Sequence, residues 1–240
     1  MKNSKIEKNQ QAVLKALANK IDEFYLAGGT ALSLFYFQHR LSVDLDFFTH
    51  EFSYKRVKEI TAYLQKHLKC KEIKLIAQNL EEGRTKMLIY NMNFAAGNTL
   101  KVDFVEDVFD LLKETKAVEG IRILSLEDIY LRKIHAIAGI VKTIDDVGKA
   151  RFIGQRVAAK DFYDLYFLSH TFMPLSQFVK KYCDATITEA VIRWFKTYDR
   201  MALTCGILEI AAEKSVDTKS IEKHFTQEIN KIIQEQVGEI

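Results

Sequence analysis

Leu26-Ala-Gly-Gly-Thr-Ala-Leu-Ser-Leu34 is followed closely by His39-Arg-Leu-Ser-Val-Asp-Leu-Asp-Phe-Phe48 and, farther along, by Lys101-Val-Asp-Phe-Val105. Phe24-Tyr-Leu26 reads as a short strand entering the Gly28-Gly29 turn, with Thr30 opening a helix from Ala31 to about His39. Leu41 to Thr49 reads as a strand in which Val43, Leu45 and Phe47 alternate with Ser42, Asp44 and Asp46, so one face is apolar and the other carries acids. Asp44 and Asp46, two apart, share that face at a spacing of about 6 to 7 Å. Asp103, flanked by Val102 and Phe104, leaves its own strand opposite to those apolar neighbours, and pairing would bring it within about 5 Å of one of the first two acids.

Working outward, an amphipathic helix over about 4 to 21 precedes the turn, carrying Ile6, Val13, Leu14, Leu17 and Ile21. Residues 53 to 69 read as helix, followed by strands at Glu72 to Gln78, Thr85 to Asn91 and Thr99 to Val105, the last two a hairpin across 95 to 98. Beyond about 125 the pattern turns helical, with Ser125 as N-cap, Glu127 and Asp128 in the first turn and Gly139 as a stop. Further helices are expected near 161 to 170, 175 to 184, 186 to 213 and 218 to 236. The basic segment 140 to 159, with Lys142, Lys149, Arg151 and Arg156, reads as a loop or a short helix.

The composition sets outer bounds. With 240 residues, 48% of them hydrophobic, the chain can bury a large core, and two closely packed subdomains suit its length. A net charge of +3 does not by itself name nucleic acid as a partner. Lys55, Arg56, Lys58, Lys66, Lys69, Lys71 and Lys74 are clustered, and a solvated helix face is favoured over an RNA-facing patch. Cys70, Cys183 and Cys205 lack metal-ligand spacing and read as reduced thiols, and no apolar run approaches the roughly 20 residues that span a bilayer. The expected compartment is the cytoplasm, with no membrane partner.

Hard carboxylate ligands beside a phosphate-holding turn suit metal-dependent phosphoryl chemistry. Mg²⁺ takes a few carboxylates together with phosphate oxygens, and paired ions clamp the attacking and leaving oxygens. The backbone N–H groups of Gly28-Gly29-Thr30 at a helix start attract phosphate, and Thr30 adds a hydroxyl. A bare Asp-x-Asp is most often the wet side of a strand, and a Gly-Gly is most often a tight turn. The order of turn, acid pair and third acid is what neither bland reading explains.

Together with Leu131-Arg-Lys-Ile-His-Ala-Ile-Ala-Gly139 and Lys160-Asp-Phe-Tyr-Asp-Leu-Tyr-Phe-Leu168, these motifs resemble the AbiEii/AbiGii (MenT-like) nucleotidyltransferase toxin family, over about residues 24 to 170. The resemblance implies a DNA polymerase-β-like α+β fold: a nucleotidyltransferase core with a small mixed sheet flanked by helices over 1 to 124, and a helical C-terminal subdomain over 125 to 240. It also implies an Mg²⁺-dependent enzyme that moves NMP from an NTP to an acceptor hydroxyl, with the 3′ end of a tRNA as the expected RNA acceptor, acting as a toxin that has a cognate antitoxin or as part of a phage-defence pair. Gly28, Gly29 and Thr30 would hold the triphosphate and Asp44 and Asp46 the metal, while Asp103 would complete metal binding or help deprotonate the attacking hydroxyl. Lys133 matches a lysine that contacts NTP phosphates, its bland reading being a surface helix lysine. Asp161 matches another functional position, its local reading being an N-cap, with Asp164 favouring the same helix end.

Arg40 reads as an anchor for the acid-bearing strand or a phosphate, with the anchor preferred, and His39 and His135 as packed or surface histidines. Tyr163 and Tyr166 read as packing residues. The segment 140 to 159 is longer than the family pattern has there, and an RNA contact or lid is its functional reading. The competing classes are a metal-dependent phosphodiesterase or nuclease, which would shorten RNA without NTP, and a non-catalytic RNA- or antitoxin-binding module.

Overall fold

Leu45, Phe47, Val102 and Phe104 are at most 1% exposed, whereas Asp44, Asp46 and Lys101 on the opposite side of the same strands are half-buried. That alternation fixes the register of the central sheet, because a one-residue slip would turn the acids into the core. The computed structural model describes residues 2–94, 98–139, 141–144, 150–153 and 156–238. By contact, the chain divides into two units, Met1–Tyr36 with Leu41–Ser125, and Phe37–Arg40 with Leu126–Ile240.

The first unit begins with α1 (Lys2–Leu17), β1 (Tyr25–Leu26) and α2 (Gly28–Ala31), the last continuing as a π-helical turn over Leu32–Tyr36. Next come β2 (Asp44–Thr49), α3 (Tyr54–His67), β3 (Cys70–Asn79), β4 (Met87–Phe94), β5 (Thr99–Glu106), β6 (Lys116–Val118) and β7 (Ile121–Ile123). Among the described residues the strands form one seven-stranded sheet in the order β3-β4-β5-β2-β1-β7-β6. It is mixed: β2 runs parallel to β5 and β1 parallel to β7, and the other neighbours are antiparallel. The expected β4–β5 hairpin forms, although residues 95–97 of its turn lie outside the described residues. Two short strands, β6 and β7, escaped the periodicity because three residues are too few to show alternation.

Phe47 stacks on Phe104 at 5.6 Å between ring centroids, and Phe24 meets Phe104 edge-on at 5.4 Å. This aromatic cluster under the sheet holds β2 and β5 side by side. From α1, the buried Gln10 donates through Nε2 to the backbone carbonyls of Ser42 (2.8 Å) and Asp44 (3.1 Å), pinning the entry to β2.

The second unit contains α4 (Leu126–Ala138), β8 (Val141–Ile144), β9 (Ala150–Ile153), α5 (Ala159–Thr171), α6 (Leu175–Tyr182), α7 (Ala185–Thr197), α8 (Arg200–Glu209) and α9 (Thr218–Gly238). Its core stacks Phe162 on Trp194 at 4.1 Å and Tyr130 on Phe178 at 4.0 Å. Three sequence expectations are corrected here. The segment 140 to 159 carries two strands that its reading as loop or short helix did not include: β8 and β9 pair antiparallel, from Val141 opposite Ile153 to Ile144 opposite Ala150, while residues 156–158 form an irregular link to α5. Val141, Ile144, Phe152 and Ile153 have the β-branched and aromatic character of strands, while Lys149 lies outside the described residues. The helix expected over 186 to 213 breaks at Tyr198–Asp199, where the Asp199 carboxylate accepts from the Ala202 N–H at 3.0 Å and caps a new helix. Finally, Asp161 is not an N-cap: Ala158 precedes α5, and Asp161 lies in its first turn.

Candidate active site

The Gly28 backbone has φ +69°, a left-handed conformation that glycine tolerates without penalty. A Cβ at this position would lie 2.5 Å from Asp46 Oδ2, so the missing side chain lets the carboxylate rest against the turn. Gly28, Gly29 and Thr30 supply the first N–H groups of α2, which have no acceptor within a helix and face anions readily. Thr30 is fully buried, and its hydroxyl donates to the Asp44 carbonyl and shares a 2.8 Å hydrogen bond with Ser42 Oγ. Its side chain therefore ties the turn to the acid-bearing strand.

The parallel β2–β5 register sets Asp44 beside Lys101 and Asp46 beside Asp103, and residues two apart share a face. Asp44, Asp46 and Asp103 thus lie on one face of the sheet, with Gly28 against Asp46. Lys101 completes the group: its Nζ lies 2.7 Å from Asp103 Oδ2 and 3.6 Å from Asp44 Oδ2. Burial pulls the Lys101 ammonium down, but the hydrogen bond to Asp103 and the charges of Asp103, Asp44 and Asp46 overcome it and raise its pKa. The sequence reading assigned Lys101 no role, although its position two residues before Asp103 put it on the same strand face.

The hard oxygen donors on this face suit a divalent cation, and they already grip a positive charge in the Lys101 ammonium. Among the described residues, no three His, Cys, Asp or Glu side chains converge as a metal-holding group. Asp44 and Asp103 converge on the lysine instead.

In the second unit, Lys133 and Asp161 are brought together within a buried ionic cluster. Lys133 Nζ donates to Asp161 Oδ1 at 2.8 Å and pairs with Asp164 Oδ2 at 2.7 Å, both carboxylates being fully buried. Asp164 also receives Arg40 through Nε (2.6 Å) and Nη2 (2.8 Å), and His39 Nε2 lies 2.8 Å from Oδ1. Asp161 receives Arg156 in the same two-pronged manner, at 3.1 and 2.9 Å. Burial pushes the Asp164 carboxyl up, but Lys133 and Arg40 outweigh it and hold it well below the usual carboxylate range. Burial likewise opposes charge on Lys133, and Asp164 and Asp161 more than restore it.

Arg40 pairs with Asp164, a partner that the sequence did not point to. His39 is packed, stacked on Tyr163 at 5.8 Å. Asp164 is the hub that the sequence reading treated only as a favourable helix-end charge. Among the described residues, Arg40, Lys133 and Arg156 face the carboxylates of Asp161 and Asp164, and Arg156 keeps about half of its side chain exposed (52%).

A glycine turn against a strand acid, two acids on one strand and a third on its parallel neighbour are the arrangement expected of a nucleotidyltransferase. The family model described as "Nucleotidyl transferase AbiEii toxin, Type IV TA system" matches residues 12–240, and the chain belongs to that family of nucleotidyltransferase toxins. Among solved structures, the chain is similar to JHP933 from Helicobacter pylori, with a TM-score of 0.60 at 19% identity, covering 98% of this chain and 95% of the other. It is also similar to MenT4, a nucleotidyltransferase toxin from Mycobacterium tuberculosis H37Rv, with a TM-score of 0.57 at 14% identity, covering 97% and 84%. No curated protein matches the chain in sequence. Among the described residues, no helix is long and apolar enough to cross a membrane.

Proposed function

We propose that the enzyme transfers NMP from an NTP to the 3′-terminal hydroxyl of an RNA, with tRNA as the acceptor and Mg²⁺ as the metal, and that a cognate antitoxin opposes it in the cytoplasm. The observation that carries this reading is the placement of Asp44, Asp46 and Asp103 on one face of β2 and β5 with Asp46 against Gly28. Asp44, Asp46 and Asp103 would hold Mg²⁺, which when bound neutralises phosphate charge and orients the reacting oxygens. The N–H groups of Gly28, Gly29 and Thr30 hold phosphate oxygens of the NTP, and the Thr30 hydroxyl keeps the turn in register with Asp44.

Lys133 takes the phosphate-contacting role that the family pattern implies, and Asp161 the other functional position, as the partner that holds Lys133. Asp161 fixes the rotamers of Lys133 and Arg156, so that positive charge is preorganised before phosphate arrives. The chain contributes positioning and fixed charge, the two things phosphoryl transfer asks of a protein.

Incubation of the full chain with each α-³²P-labelled NTP, Mg²⁺ and total RNA tests the proposal. Label should appear at the 3′ end of tRNA, and Asp46→Asn should reduce it by more than about 100-fold. Folded wild-type protein that labels no RNA with any NTP would reject the proposed acceptor, and shortening of RNA without NTP would select hydrolysis instead.

A further inference from the structure

The charged face of β2 and β5 is a two-by-two array: Asp44 beside Lys101, Asp46 beside Asp103. Three corners are acidic, and like charges directly opposite one another destabilise a sheet pair. The fourth corner answers them, since the Lys101 ammonium reaches both Asp103 and Asp44. We propose that Lys101 is a built-in counter-ion which a divalent cation must displace from Asp44 and Asp103, so that this lysine sets the metal concentration at which the enzyme loads. The inference rests on reading Asp44, Asp46 and Asp103 as the metal-binding acids.

Asp44 Oδ2 and Asp103 Oδ2 face the ammonium, and a cation held by those oxygens would have to take its place. Three properties suit Lys101 to yielding. It is a point charge on a flexible four-carbon stem, without the rigid two-pronged fork of arginine. Its side chain is about one-third exposed (34%), so solvent can receive the displaced ammonium. Of its two contacts, the one to Asp44, at 3.6 Å and with 24% of that side chain exposed, is the weaker and the more readily exchanged. With the lysine held in, the acids are compensated before metal arrives; with it swung out, their charge is released to the incoming ion.

Mn²⁺ binding to the nucleotide-free, full-length protein, followed by electron paramagnetic resonance of the free ion, tests this directly. Lys101→Met should bind about tenfold more tightly than wild type, whereas Lys101→Arg should bind no more tightly. Equal or weaker binding by folded Lys101→Met overturns the proposal. If Asp46→Asn loses binding that wild type has while Lys101→Met leaves it unchanged, the lysine's role fails and the carboxylate reading stands; if Asp46→Asn binds as wild type does, the carboxylate reading fails too. Should Lys101→Met not fold, acylation of wild-type lysines read by mass spectrometry decides the matter. Lys101 should label faster with saturating Mn²⁺ than without it, and an unchanged or slower rate overturns the proposal.

Discussion

Gly28 does two jobs that no other residue combines. Its φ of +69° costs an L-residue about 1–2 kcal/mol, and the space its Cβ would need is taken by Asp46 Oδ2. Gly28→Ala should therefore lower stability by about 1–2 kcal/mol in urea denaturation. Because the carboxylate is pushed from the turn, nucleotidyl transfer should fall by about 10–100-fold. Full activity in the folded variant would mean that the Asp46 position is not critical. The glycine was legible because Gly-Gly at a strand-to-helix junction has a distinct chemical use. Lys101 was not: a lysine near a strand acid has an ordinary reading as a solvent-facing residue, and only the register with Asp44 makes it a partner of two acids.

Strands and helices with several turns of consistent period were legible, and so were the acids whose alternation with Leu45, Phe47 and Val102 assigned them to one face. The ionic cluster between α4, α5 and Phe37–Arg40 was only half legible, since Arg40 and Asp164 are 124 residues apart and no local period links them. Its energetics are open to test through Asp164. A carboxyl held below its unfolded value binds fewer protons in the folded state, so its stabilisation is complete above about pH 5 and is lost as the pH falls. Asp164→Asn keeps the shape but leaves Lys133 and Arg40 undercompensated, and at pH 7 it should cost about 3–5 kcal/mol. It should also flatten the fall of stability between about pH 5 and 3. Urea midpoints measured across that range check both, and parallel pH curves for the variant and wild type would exclude Asp164 as the source of the acid sensitivity.

At the scale of the whole chain, Phe37–Arg40 groups with the second unit while the residues on either side of it group with the first. The backbone shows why: the His39 carbonyl accepts from the N–H groups of Glu213 (2.9 Å) and Lys214 (3.1 Å), and Arg40 bridges to Ala212. A four-residue excursion leaves no trace in hydrophobic periodicity, which reads elements and not their allegiance. A cut before Leu126 therefore removes from the helical unit a piece of its own interior. In such a fragment Asp164 keeps Lys133 but loses Arg40 and His39, and Phe167 loses the His39 ring that lies 4.9 Å away. Breaking one buried ion pair costs about 3–5 kcal/mol, a large share of the 5–15 kcal/mol typical of a domain. The fragment 126–240 should consequently unfold at a clearly lower urea concentration than the same helices do in the full chain, as followed by Trp194 fluorescence. Arg40→Met in the full chain should move the Trp194 transition in the same direction, because it removes the same charge from Asp164. A fragment as stable as the intact protein, with Arg40→Met neutral, would show that Asp164 is adequately compensated by Lys133 alone.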